Sequence, residues 1–171
     1  LAGRLGISRA GIWKRVGKLA ERGIVLERVS GRGYRVPGGI ELLDRERIAA
    51  ALPERVRAQL SRFELRRVVD STNALVLEGL RAGTLGHGAV VFAEQQTSGR
   101  GRRGRSWVSP FGRNIYCSFA WRFDGGVAAL EGLSLVIGMG AVRALTRLGA
   151  RDVMLKWPND LVAGAAKLGG I

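Results

Sequence analysis

Apolar and polar positions recur along this chain with two different periods, and the change of period divides it. Within residues 9–22, Ile12, Val16, Leu19 and Ala20 recur at three- and four-residue steps, the spacing of one helix face. At about 100° per residue, Lys14, Arg15, Lys18 and Arg22 gather on the opposite face. Ser8 is placed to cap this helix by accepting from an orphan amide, and Gly23 ends it where a left-handed backbone is usual. A shorter helical piece precedes it, separated by Gly6 and Ile7. Residues 24–29 and 34–36 are β-prone runs around a glycine-rich turn at 30–33, which predicts a hairpin.

Pro37, Gly38 and Gly39 break that hairpin and make a natural linker. Beyond it the pattern becomes mixed. Residues 44–52 read as a short helix capped by Asp44 and closed by Pro53, 63–69 as a strand, and 71–80 as a helix capped by Ser71. Strands are expected at 88–94, 114–123 and 153–157, and a long helix of small and apolar residues at 127–148. Strands that are partly consecutive, with helices between some of them, argue for an α+β fold with helices against a sheet. The chain begins at Leu1, within a helical pattern, and residues 167–171 read as the opening of a further strand, so it is expected to be a fragment.

Charge sharpens the division. The net charge is +14, and 24 of the 28 basic residues are arginine. Residues 1–39 hold nine Lys/Arg against two acids, and 40–171 hold nineteen against twelve, so each part carries +7. Half the excess in under a quarter of the chain points to a polyanionic partner for the N-terminal segment. Helix order, cap and hairpin together suggest a winged helix-turn-helix with an incomplete first helix; Arg9, Lys14, Arg15, Lys18, Arg22 and Arg32 are its candidate DNA contacts. The bland rival is a solvated basic face. The single cysteine, Cys117, excludes a disulfide framework and a thiolate metal cluster and fits a reducing compartment. No apolar run is read as reaching the roughly 18–20 residues that span a bilayer, so the expectation is a cytoplasmic protein without membrane contact.

Residues 99–107, GRGRRGRSW, hold four arginines and three glycines. Guanidinium charges repel, so the stretch is costly to hold together unless an anion fills it. Gly99–Gly104 satisfies G-x-G-x-x-G, but residues 105–112 do not open the helix that a dinucleotide site requires. A disordered RNA-binding tract also fits poorly, because the loop is short and lies between two good strands. Better is a glycine-rich loop that folds over an anionic ligand and is ordered by it, with Trp107 able to stack on a base.

Four blocks in order, SerThrAsn at 71–73, GRGRRGRSWVSPFGRNIY at 99–116, KWPND at 156–160 and KLGGI at 167–171, resemble those of the biotin–protein ligases. The N-terminal segment resembles the repressor-type branch of that family. The resemblance implies a winged helix-turn-helix at 1–37, a linker with short helices at 38–62, and a biotin- and ATP-binding catalytic domain at 63–171. That domain would be a class II synthetase-like mixed sheet flanked by helices, cut before a C-terminal β-barrel. It also implies the reaction: biotin and MgATP give biotinyl-5′-AMP, and biotin then passes to a lysine of a carboxylase's biotin carboxyl carrier domain. Operator DNA is implied as a partner, with a homodimer when adenylate is bound.

Carried over by motif, Ser71, Thr72 and Gln96 would bind the biotin head group, with Asn73 in the same block. Gly99, Arg100, Gly101 and Arg102 would form the ordering loop. Arg102 and Lys167 would bear the charges on the biotin carboxylate and α-phosphate, and are the candidate catalytic groups. Arg100, Arg103, Trp107 and Asn159 would face the adenylate, supported by Lys156 and Asp160. No metal ligand is identified; Mg2+ is expected with the ATP phosphates. Rival readings make Ser71 only a cap, Trp157 core, His87 a turn residue, Cys117 a small buried side chain and Asp160 a turn former. At the level of function, the rivals are a non-enzymatic biotin-responsive regulator and a lipoate or other acyl ligase on the same scaffold.

Overall fold

The computed structural model describes residues 2–171. The chain forms two compact units, one ending at Trp121 and the other comprising Arg122–Ile171. The first opens with α1 (Ala2–Leu5) and α2 (Arg9–Glu21), followed by a hairpin of β1 (Glu27–Val29) and β2 (Gly33–Arg35). Ser8 Oγ accepts from Gly11 N at 3.0 Å, and Gly23 is left-handed at φ 79°, so both helix signals act as expected. The apolar face of α2 is only partly used. Ile12 is buried and Val16 half-buried, but Leu19 and Ala20 are exposed.

Two short helices, α3 (Arg45–Ala51) and α4 (Glu54–Arg57), lead into the first sheet. Asp44 Oδ1 caps α3 by accepting from Arg47 N at 2.9 Å. The sheet has the order β3 (Arg62–Arg66), β4 (Ala89–Ala93), β5 (Tyr116–Ala120), with β3 parallel and β5 antiparallel to β4. Alternation puts Ala89, Val91 and Ala120 on one face, where Val76 of α5 (Thr72–Arg81) completes the core. Gly79 lets α5 settle there, since a Cβ would stand 2.5 Å from Leu85. Opposite that face, Phe63 stacks on Phe92 at 5.2 Å between centroids.

The second unit packs α6 (Leu133–Arg147) on an antiparallel sheet of β6 (Val153–Lys156), β7 (Asp160–Ala163) and β8 (Ala166–Gly170). Gly138 is the contact point: a Cβ there would meet Leu155 at 2.5 Å.

Several expectations need correction. The expected mixed sheet is present in β3–β4–β5, but β6–β7–β8 form a second, antiparallel sheet of their own. The strand expected at 63–69 ends at Arg66, and Val69 keeps only an isolated bridge to Gln96. The one at 114–123 is Tyr116–Ala120, because Asn114 spends its side chain on Tyr116 Oη. The long helix expected at 127–148 is broken at Gly132, left-handed at φ 75°, into a 3-10 turn at Val127–Leu130 and α6. By length and composition the stretch Val127–Arg147 is apolar enough to cross a membrane, contrary to the reading of the sequence. However, the continuous 15-residue helix is only about 22 Å long, short of a bilayer's roughly 30 Å hydrocarbon core. Trp157 is not core; it is 78% exposed beside a cis bond to Pro158.

Candidate functional site

The N-terminus of α5 and the chain leaving β4 meet in a polar cluster. Ser71 Oγ caps α5, accepting from Ala74 N at 3.4 Å, and its own N–H donates to Asp70 Oδ1 at 2.7 Å. Thr72 is 3% exposed. Its N–H and its hydroxyl both donate to Gln96 Oε1, at 2.9 and 3.1 Å, and its Oγ1 lies 2.9 Å from Ser118 Oγ on β5. With Thr72 Oγ1 donating to Gln96, Ser118 must be the donor in the second contact. Two donors on Oε1 fix the Gln96 amide, so Nε2 is the group left to act as a donor. Asn73 is exposed on the same helix turn. Ser118 was missed in the sequence; a serine in an apolar strand, two residues from Ala120, was its only signal.

Three residues beyond Gln96 the arginine loop begins. It closes on itself as a small hairpin rather than remaining open. Trp107 N donates to Gly99 O at 2.9 Å and Gly101 N to Arg105 O at 2.6 Å, with Arg100 bridged to Ser106. A 3-10 turn at Arg102–Gly104 makes the tip, where Arg103 takes a left-handed backbone at φ 59°. Such a conformation costs a non-glycine residue roughly 1–2 kcal/mol. Arg100, Arg102 and Arg103 are exposed, while Gly99 is buried and Gly101 and Trp107 half-buried. A Cβ at Gly99 would stand 2.7 Å from Ser109 Oγ, 3.0 Å from Trp107 O and 3.3 Å from Gln96 Nε2. Glycine there allows the hairpin base to lie against the Gln96 amide.

The returning limb is held by Tyr116, whose Oη donates to Pro110 O at 3.2 Å and accepts from Asn114 Nδ2 at 2.8 Å. Burial pushes the Tyr116 phenol up, with the bonds to Asn114 and Ser109 opposing. Cys117 beside it is half-buried, and burial raises its thiol to about 12. His87 sits in a turn with its ring 4.3 Å from that of Trp121.

In the second unit, Lys167 Nζ donates to Asp160 Oδ1 at 2.7 Å across β8 and β7. Asp160 therefore has a partner and is more than a turn former. Asn159 is 9% exposed, its Nδ2 donating to Ile171 O at 3.0 Å and its O accepting from Ile171 N at 2.9 Å. Lys156 is exposed at the end of β6. The N-terminal candidates Arg9, Lys14, Arg15, Lys18, Arg22 and Arg32 are all exposed. Among the described residues no three His, Cys, Asp or Glu side chains cluster to hold a metal ion.

The cluster and the hairpin together place hydrogen-bonding groups beside exposed cationic side chains. Residues 65–171 match the Biotin/lipoate A/B protein ligase family, and the chain belongs to that family. It is 47% identical over 171 residues to the bifunctional ligase/repressor BirA of Salmonella typhimurium, covering all of this chain and 51% of that protein. The chain spans about half the length of the curated relatives it matches. Biotin protein ligase from Aquifex aeolicus, solved with biotin and ATP, aligns with a TM-score of 0.53 at 32% identity, over 65% of this chain and 45% of that one. The Leishmania major enzyme with biotinyl-5-AMP gives 0.55 at 28% identity, over 64% and 50%.

Proposed function

We propose that this protein is a biotin–protein ligase with a DNA-binding module, activating biotin as biotinyl-5′-AMP and passing it to a lysine of a carrier domain. The observation that carries the reading is the Thr72–Gln96–Ser118 cluster joined directly to the arginine hairpin. Ser71, Asn73 and the Gln96 amide bind the head group. Thr72 acts by orienting Gln96, because its hydroxyl is already engaged on both sides.

In the first half-reaction a biotin carboxylate oxygen bonds to the α-phosphorus of ATP and the bond to the β-phosphate's bridging oxygen breaks, releasing pyrophosphate. An anion attacking an anion needs cations more than a protein nucleophile. Arg100, Arg102 and Lys167 supply them, with Arg103 at the hairpin tip. Asp160 orients the Lys167 ammonium, and the motif resemblance assigns Trp107 and Asn159 to the adenine and Lys156 to its charge balance. In the second half-reaction the carrier's lysine amine attacks the acyl carbon, AMP leaves, and the amine loses a proton. Mg2+ would come with the ATP phosphates and would offset their charge, since the described carboxylates do not gather into a cage for it.

The winged helix-turn-helix reading is supported by the capped α2, the β1–β2 hairpin and six exposed basic residues. The repressor half of the Salmonella relative's name fits operator binding, and adenylate-linked dimerisation follows as a further proposal. Incubation of the full-length protein with labelled biotin, ATP and a carrier domain tests the activity. Label on the carrier lysine is expected, and lipoate in biotin's place should give none. Transfer of lipoate alone would replace the substrate reading. For the module, Lys14→Ala and Arg15→Ala should each reduce the salt slope of DNA binding by roughly 1.

A further inference from the structure

Glu94 closes β4 and is 3% exposed, yet nothing in the proposed chemistry uses it. Its Oε1 accepts from Leu43 N at 2.6 Å, a bond between residues 51 apart in the chain. Its backbone carbonyl accepts from Gly112 N at 2.9 Å. One residue thus holds two segments, the strap at 40–43 through its side chain and the limb returning from the arginine hairpin through its main chain. The strap also presses on that limb. A Cβ at Gly112 would stand 2.7 Å from Ile40 Cδ1 and 3.0 Å from Leu42 Cδ2, so only glycine lets the two pack this closely.

The hairpin rises between the parts so joined. Glu94 lies two residues before Gln96, and Gly112 ends the limb on which Ser109 meets Gly99. The two segments that carry the hairpin are therefore tied at Glu94, below the Gly99–Trp107 bond that closes it. We infer that Glu94 is a positioning residue, which clips the 40–43 strap across the foot of the arginine hairpin and holds the hairpin in its closed register. The inference concerns the same loop as the proposed ligase site, but it makes a claim about the ligand-free loop.

Trypsin tests it without any ligand, on the full-length protein. Nicking of a transiently opened segment tracks the population of its open form. Glu94→Ala should raise the cleavage rate after Arg100, Arg102, Arg103 and Arg105 by about tenfold, with cleavage after Arg62 in β3 and Arg81 in α5, within the same unit, unchanged. Glu94→Gln keeps an acceptor at Oε1 and should stay within about twofold of the parent. Leu43→Pro removes the N–H donor, so it should match Glu94→Ala, with no further increase in the double variant. It also carries the test alone if Glu94→Ala does not fold. Parental nicking of the loop in Glu94→Ala or Leu43→Pro would overturn the inference. So would equal acceleration at Arg62, Arg81 and the loop, which would make Glu94 merely a stabilising residue of that unit. Because no biotin or ATP enters the assay, its failure is separate from failure of the ligase reading.

Discussion

Replacing Thr72 with valine removes one oxygen and keeps the shape of a side chain that is 3% exposed. The change leaves Gln96 Oε1 with one donor, Thr72 N, and leaves Ser118 Oγ without its acceptor. A polar group stranded in this way costs about 1–3 kcal/mol. The lower half of that range applies, since Gln96 keeps one bond and Ser118 is only half-buried. About 1–2 kcal/mol corresponds to a fall in melting temperature of roughly 2–4 °C per kcal/mol for a domain of this size. Thr72→Ser is the paired control. It loses a methyl, about 0.8 kcal/mol, but keeps the hydroxyl. The two variants should therefore melt within a few degrees of each other and differ in ligand binding. Thr72→Val frees the Gln96 amide and should weaken biotin binding about tenfold, or roughly 1.4 kcal/mol, by calorimetry. Thr72→Ser should bind as the parent does. Equal loss of affinity in both, or none in either, would refute the claim that Thr72 works by orienting Gln96.

Other consequences follow from the same contacts. Gly99→Ala drives a methyl toward Ser109 Oγ and Trp107 O, and should cost about 1–3 kcal/mol in urea melts. Pairing it with Ser109→Gly should recover part of that loss. Glu64 is held below the usual carboxylate range by hydrogen bonds from Arg66 and Arg62. A depressed folded-state value adds stability above the unfolded-state value, lost as pH falls through the folded one. Glu64→Gln should thus be less stable than the parent near pH 7, by under about 1 kcal/mol because both arginines are half-exposed, with the gap closing as pH falls through the depressed folded-state value. Cys117, raised to about 12 by burial, should resist a thiol reagent at pH 8 in the native protein and react on unfolding. Rapid native labelling would contradict that burial.

Local signals in the sequence were legible where they act over a few residues. Ser8, Asp44 and Ser71 each announced a helix start, and each side chain accepts the expected amide. The paired runs around residues 30–33 announced a hairpin. What stayed hidden depends on contacts distant in sequence. Ser118 approaches Thr72 only because β5 pairs with β4 in one register, and Glu94 reaches Leu43 only through the path of the strap. The arginine loop looked open because charge repulsion was visible in the sequence and its backbone bonds were not. Gly132 divides the long apolar stretch although its neighbours favour a continuous helix. Asn159 was legible as a candidate, but its bond to Ile171 was not.

The measurement that most directly tests the central claim is mass spectrometry of the full-length protein incubated with MgATP and, separately, biotin, lipoate and octanoate. Lys167→Ala is the control. The account predicts biotinyl-AMP with biotin, nothing with the other two acids, and loss of the product in the control. Lipoyl- or octanoyl-AMP would keep the chemistry and overturn the substrate. The absence of any acyl-AMP would contradict the account, leaving the arginine hairpin to hold an anion that does not react.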